Sequence, residues 1–197
     1  MGGQPKALLA WPPGSSGCTF LDTVLRYVRE GGIAPVAVVT GTHHSSIAAA
    51  CTAATAGSDE LPVLYNARND EGQLTSLWRL LDWAESLPGR PAWMAVALAD
   101  LPAVQSDTVR RLRLAALAAA PGTMVVRPAV RGRHGHPVLW HRDAWPRLRA
   151  AAVESGARSV VHALVAERRV VDVEVDDEGV LRDIDTPADY ATARAWP

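Results

Sequence analysis

Lysine is almost missing from this chain. Lys6 is the only one, and arginine supplies every other positive side chain. Lys plus Arg total 20 against 21 for Asp plus Glu, so there is no large basic field, and nucleic acid is excluded as the main partner. Cysteine is scarce too. Cys18 and Cys51 are too few for a disulfide framework, and no Cys-x-x-Cys pair exists to hold structural zinc. No apolar run approaches the roughly 20 residues of a membrane span. The N-terminus lacks a basic start followed by an apolar core, so the expected location is the cytoplasm, with no membrane partner. No internal repeat or interdomain linker interrupts the 197 residues, which read as one domain.

What is present alternates between strand and helix patterns. Thr19 to Glu30 carries Phe20, Leu21, Val24, Leu25 and Val28 at helical spacing, and Gly31-Gly32 ends it. Ser45–Ala56, Leu74–Ser86, Ser106–Ala119, Ser159–Ala166 and Pro187–Ala195 are further expected helices. Ser106 or Asp107 is placed to cap the third of these. Ala34–Thr40, Pro62–Tyr65, Trp93–Ala99, Met124–Pro128, Pro137–His141 and Arg169–Val175 are expected strands. The pattern predicts an α/β fold: a Rossmann-like, mostly parallel sheet with helices on both faces. The less regular second half points to a mixed sheet. Right-handed crossovers then gather the loops after Gly41, Asn66 and Asp100 on one edge, where ligands sit in such folds.

Val96-Ala97-Leu98-Ala99-Asp100-Leu101-Pro102 is the most informative segment. A buried run ends in one carboxylate, and Pro102 stops the ladder. Asp100 is therefore a candidate ligand for a hard cation, which binds through one or two carboxylates plus substrate phosphates. The competing reading is a cap on the helix starting near Val104. A second acidic group is Asp183-Ile184-Asp185-Thr186-Pro187-Ala188-Asp189. Asp183 and Asp185 share a facing if the backbone is extended. Thr186 or Asp185 is placed to cap the last helix, and Asp189 reads as a first-turn capping carboxylate.

In Arg131-Gly132-Arg133-His134-Gly135-His136-Pro137, two glycines permit close backbone approach, and the arginines suit phosphate. The alternative is a solvated hairpin. His134 and His136 lack the third ligand a transition metal needs. His43-His44 reads as surface loop. Asn66 to Leu77 places Gly72 at a helix start after a strand end, where free N–H groups face an anion or a base edge.

Together these segments resemble one family. Lys6-Ala7-Leu8-Leu9, Val38-Val39-Thr40-Gly41, Asn66 with Gly72 and Ser76-Leu77, Leu98 to Pro102, Gly135-His136-Pro137, Gly156-Ala157-Arg158 and Asp183 to Pro187 follow the order and spacing of the molybdenum-cofactor nucleotidyltransferases. Gly-His-Pro and Asn…Gly…Ser-Leu make the chain most similar to the cytidylyltransferase branch. The resemblance runs from Met1 to about Tyr190.

It implies transfer of a nucleoside monophosphate, CMP from CTP in this branch, to a phosphate on molybdopterin-type cofactor, with release of pyrophosphate. It implies Lys6 and Asp100 as catalytic residues, and Mg²⁺ on Asp100 and Asp185. The nucleotide would meet Gly2, Gly3, Lys6, Thr40, Gly41, Asn66, Gly72 and Ser76. The pterin would meet Gly135, His136, Pro137 and Arg158, and a molybdoenzyme is an implied partner. The family normally opens with a strand and a Leu-Ala-Ala-Gly-x-Ser-x-Arg-Met-Gly loop, and Met1-Gly2 coincides with the end of that motif. The expectation is a domain shortened at its N-terminus, with unpaired edges near residues 35–40 and 96–99. Two other readings stay open: a different donor such as GTP or a different small phosphate acceptor, and a non-catalytic carrier of the molybdenum cofactor.

Overall fold

The computed structural model describes residues 4–54 and 61–193. Helix α1 (Phe20–Glu30) forms where the apolar spacing requires it, and a capping box closes its start. Asp22 N–H donates to Thr19 Oγ1, while Asp22 Oδ2 accepts from Thr19 N–H at 2.8 Å. Gly31 ends the helix against α4 (Ser106–Leu117): a Cβ there would lie 2.5 Å from Val109 Cβ.

The strands divide into two sheets. β1 (Val38–Thr40) pairs in parallel with β2 (Val63–Tyr65). The five-stranded sheet holds β3 (Trp93–Val96), β4 (Val125–Val130), β5 (Arg133–His134), β6 (Val138–His141) and β7 (Val170–Glu174). Its order is β3-β6-β4-β5, with β7 also on β4. β4 and β7 are parallel, β6 is antiparallel to both β3 and β4, and β5 returns as a short hairpin on β4. Thus β3, β4 and β7 share one direction, and the sheet is mixed as expected.

Several expected strands are shorter, for a common reason. Trp93 to Ala99 pairs only to Val96, because the next residue of the partner strand that would bond to it is His136, whose N–H goes to the Val180 carbonyl instead. Ala34 to Thr40 pairs only from Val38, where the partner strand meets Pro62. The remaining helices are α2 (His44–Ala54), α3 (Gln73–Ser86), α5 (Trp145–Ala150), α6 (Gly156–Ala166) and α7 (Pro187–Thr192). Sequence reading missed α5, which is six residues long and too short for periodicity to reveal.

Helices cover both faces of the larger sheet. Val125 packs with Leu81, Trp140, Leu148 and Leu164 of the α3, α5 and α6 side. Its neighbour Val126 packs with Leu112 and Ala116 of α4. Adjacent strand residues serve opposite cores, as the pleat dictates. Among the described residues, no helix is long and apolar enough to cross a membrane.

One seam is open. Among the described residues β1 pairs only with β2, and β3 only with β6. A cavity of about 1000 Å³ lies between them, walled by residues 34–39, by 93–99, by Leu21, Val24 and Val28 of α1, and by Leu77 and Leu80 of α3. The expected unpaired edges, near residues 35–40 and 96–99, overlap the open ones at Val38–Thr40 and at Val96, and the second open edge lies earlier, over Trp93–Val96.

Candidate active site

Three groups of residues gather beyond the strand ends. The first forms because Ile184 is fully buried and its N–H donates to the Asp100 carbonyl at 3.0 Å. That anchor sets the acidic segment beside the loop after β3. It also turns Asp183 and Asp185 outward on one face, since both are exposed on either side of Ile184. Lys6, on a short 3-10 turn, donates from Nζ to Asp185 Oδ1 at 2.6 Å. This hydrogen bond, with the lysine charge, holds the Asp185 carboxyl below its ordinary range.

Asp100 lies in the same field. Its Oδ1 is buried and has no hydrogen-bond partner. Burial pushes its pKa up, and the charges of Asp185 and Asp183 add to that, against the pull of Lys6. Asp100 does not cap α4. That helix starts at Ser106, and the partly buried N–H of Gln105 is satisfied by Asp177 Oδ2 at 2.9 Å. Neither Ser106 nor Asp107 caps it either. Asp177 also accepts from Thr108 Oγ1 at 2.7 Å and from Gly179 N–H at 3.0 Å. A carboxylate from 72 residues downstream left no local signal at the helix start. At α7, Thr186 is the cap and Asp189 completes its capping box, leaving Asp185 outside that role.

The donor set suits a hard cation. Two carboxylates, one with an orphaned buried oxygen, are what Mg²⁺ uses when phosphates and water fill its other positions. No cluster of three or more His, Cys, Asp or Glu exists among the described residues, so a protein-only metal cage is not built here. His134 and His136 do not form a pair. His134 Nε2 lies 3.0 Å from Asp172 Oδ2, and His136 turns inward to the Val96 carbonyl.

The second group follows β1 and β2. Thr40 is buried, and its Oγ1 lies 2.7 Å from His44 Nδ1. His44 is therefore not surface loop: it opens α2 and packs its ring against Tyr65. Gly41 has no room for a side chain, because a Cβ would sit 2.5 Å from Asn69 Cβ. Asn66 is 2% exposed, and its side-chain amide bonds within the protein. It donates to Thr75 Oγ1 at 2.9 Å and Ser76 Oγ at 3.0 Å, and accepts from Arg68 N–H at 3.0 Å. Asn66 thus organises the loop that carries Ser76, with both of its side-chain N–H groups spent inside the protein. Gly72 takes φ +131° at the start of α3, a conformation side chains avoid. His44 and Asn69 carried no spacing signal, since their contacts arise only when β1 and β2 pair.

The third group is the Gly135-His136-Pro137 turn. A Cβ on Gly135 would lie 2.0 Å from the Val180 carbonyl oxygen, so this position accepts only glycine. His136 N–H donates to the same carbonyl at 3.1 Å. Its Nδ1 lies 3.3 Å from the Val96 carbonyl, which can only accept, so Nδ1 carries the proton and Nε2 is left as an acceptor. Burial lowers the His136 pKa and keeps the ring neutral, against the contributions of Val96 and Asp100. Arg131 is exposed and faces Glu178 at 3.6 Å.

Ser76, Gly135, His136 and Arg158 line the large cavity together, beside Leu98 and Ala99. Lys6, Asp100 and Asp185 form a separate cluster just past Ala99, and Thr40, Gly41, Asn66 and Gly72 do not line the cavity, although Asn66 bonds to Ser76, which does. Arg158 is exposed on the first turn of α6, with no ion pair among the described residues. Pro137 flanks this lining without joining it. Gly2 and Gly3 lie outside the described residues.

A comparison with curated proteins found no match. Among solved structures, Rv0371c of Mycobacterium tuberculosis H37Rv, in a complex with manganese, is 25% identical with a TM-score of 0.68, covering 97% of this chain and 92% of that one. A nucleotidyl transferase from Methanothermobacter is 22% identical with a TM-score of 0.74, covering 96% and 83%. Molybdopterin-guanine dinucleotide biosynthesis protein A of Archaeoglobus fulgidus is 18% identical with a TM-score of 0.61, covering 98% and 90%. The last two share the fold. The family model described as a MobA-like NTP transferase domain matches residues 1–170. A doubly covered α/β sheet with carboxylates and a lysine beyond its strand ends accords with nucleotidyl transfer, and the chain belongs to the MobA-like NTP transferase family.

Proposed function

We propose that this chain transfers CMP from CTP to the phosphate of a molybdopterin-type cofactor. Asp100 and Asp185 would hold Mg²⁺, and Lys6 would bind the triphosphate. The observation that carries this reading is the orphaned, buried Asp100 Oδ1 beside the Lys6–Asp185 pair. An unpaired buried carboxylate oxygen is costly unless a ligand completes it. Bound Mg²⁺ neutralises charge on the reacting phosphates.

In the reaction, an oxygen of the acceptor phosphate attacks the α-phosphorus, forming a new P–O bond. The bond to the bridging oxygen breaks, and pyrophosphate leaves with the electron pair. The acceptor phosphate is already an anion at neutral pH, so no side chain need activate it. Lys6 stabilises charge that grows on the transferring group. Thr40, Gly41, Gly72 and Ser76 shape the nucleotide side, with Asn66 fixing the Ser76 loop. Gly135, His136, Pro137 and Arg158 form the pterin side, where neutral His136 offers Nε2 as an acceptor and Arg158 offers a charge for the phosphate.

Pyrophosphate release is measured with CTP, GTP, ATP and UTP, with and without molybdenum cofactor. Release that requires both CTP and the cofactor is expected. Release indifferent to the cofactor refutes the acceptor, and a preference for GTP refutes the donor. Calorimetric binding of the cofactor without any binding of CTP·Mg²⁺ replaces the enzyme with a carrier.

A further inference from the structure

The one lysine in the chain does not wait free for a phosphate. It is bonded to the carboxylate expected to hold the metal, at 2.6 Å, and lies within electrostatic reach of Asp100. Asp185, and Asp183 from farther off, add negative charge to the surroundings of Asp100, whose burial already disfavours its anion. Lys6 is the cation that faces both carboxylates. Lys6 and Asp185 are 38% and 58% exposed, so their pair is readily exchanged.

We propose that Lys6 is the resident counter-ion of the carboxylate site, displaced from Asp185 when the divalent cation binds and thereby released to the triphosphate. This rests on the metal assignment above and adds a linkage to it. Metal and lysine compete for Asp185 in the absence of nucleotide. Once nucleotide is present they cooperate, because the freed ammonium has phosphate to bind. The lysine hydrogen bond that depresses the Asp185 pKa is the interaction the metal must replace.

The competition gives opposite signs in two binding measurements. Lys6→Met removes the charge and keeps the length of the side chain. Calorimetry and the electron paramagnetic resonance of free Mn²⁺ then report the affinity for Mn²⁺ alone. Losing a competing cation should tighten that binding on the order of tenfold. Binding of CTP with Mn²⁺ should weaken in the same variant. Lys6→Arg, which keeps the charge, should bind Mn²⁺ alone like the parent chain.

A measurement without mutation is available because the chain has a single lysine. Labelling lysine at Cε gives one side-chain NMR resonance. Saturating Mg²⁺ should move it toward the position of a free, solvated lysine. A resonance that stays put at saturating Mg²⁺, or Lys6→Met binding Mn²⁺ alone no tighter than the parent, overturns the exchange. The metal assignment fails separately, if Asp185→Asn binds Mn²⁺ as tightly as the parent.

Discussion

Fusing an apolar strand and a short glycine-containing turn ahead of Gln4, about 15 residues in all, should raise Tm by roughly 10 °C. The geometry of the open seam sets the design. Val38 N–H and the Thr40 carbonyl bond toward β2, so the polar groups of Val39 face the seam. Arg142 N–H bonds to the Ala92 carbonyl, so Trp93 and Ala95 likewise face away from β6. The seam therefore offers a hydrogen-bonding edge on each side, with apolar helix faces above and below. A strand apolar on both faces fits it. The reach is short, because Lys6 is tied to Asp185, and Ile184 to Asp100, just beyond the end of β3.

The size of the effect comes from the walls. For the added strand, burial gain and ordering cost are similar, about 1.5–3 kcal/mol per residue each. What remains is the completed burial of half-exposed Val36, Val38, Val39, Trp93 and Val96. At nearly 1 kcal/mol each, that is about 3–5 kcal/mol, and each is worth about 2–4 °C at this length. Hydrogen exchange is the sharper assay: the amides of Val39, Trp93 and Ala95 should become protected only in the extended chain. Protection already present without the added strand, or an unchanged Tm with it, refutes the reasoning.

Three further outcomes are expected. Asp100→Asn keeps the shape and removes the charge, so turnover should fall on the order of 10²-fold or more while Tm changes little, since the residue is not a cap; an early-melting variant of normal specific activity contradicts this. Gly135→Ala forces a methyl onto a backbone oxygen at 2.0 Å and should cost about 3 kcal/mol or more, read by chemical denaturation; a loss under about 0.5 kcal/mol means the turn can shift aside. His136 has a folded pKa below its ordinary 6.5 because it is buried, so the unfolded chain binds the extra proton first. The stability tied to the neutral ring is fully present above pH 6.5 and is lost as pH falls through the folded value, and His136→Gln should flatten that slope.

The order of elements was legible because apolar periodicity survives without tertiary context. The lengths of β1 and β3 were not, because they are set by Pro62 and by the bond of His136 to Val180, all far away in sequence. The acidic segment was legible to a similar depth: alternation alone put Asp183 and Asp185 on one face, and the burial of Ile184 agrees. Asp177 stayed hidden, since a buried carboxylate that caps a distant helix looks like any other acidic loop residue. Asn66 was seen, but its work was not: nothing in the spacing tells an amide free for a ligand from one satisfied by Thr75, Ser76 and Arg68.

The candidate site straddles the open seam, and that has a measurable consequence. Thr40, Gly41 and Asn66 stand on the two-stranded side, while Asp100 and His136 stand on the five-stranded side. Helix α3 spans both, carrying Ser76 toward the cavity and burying Leu77 and Leu81 in the large core. Leu81 is fully buried away from the seam, so Leu81→Ala opens a closed void and should cost about 4 kcal/mol. Leu77 is 8% exposed and forms part of the cavity wall, so Leu77→Ala merely widens existing space and should cost nearer 2 kcal/mol. In the chain extended by the fused strand, Leu77 gains packing partners and its truncation should rise toward the cost at Leu81. A double-mutant cycle between strand and side chain isolates the difference: about 1–2 kcal/mol of coupling at Leu77 and none at Leu81. Equal coupling at the two leucines would place the strand somewhere other than the seam.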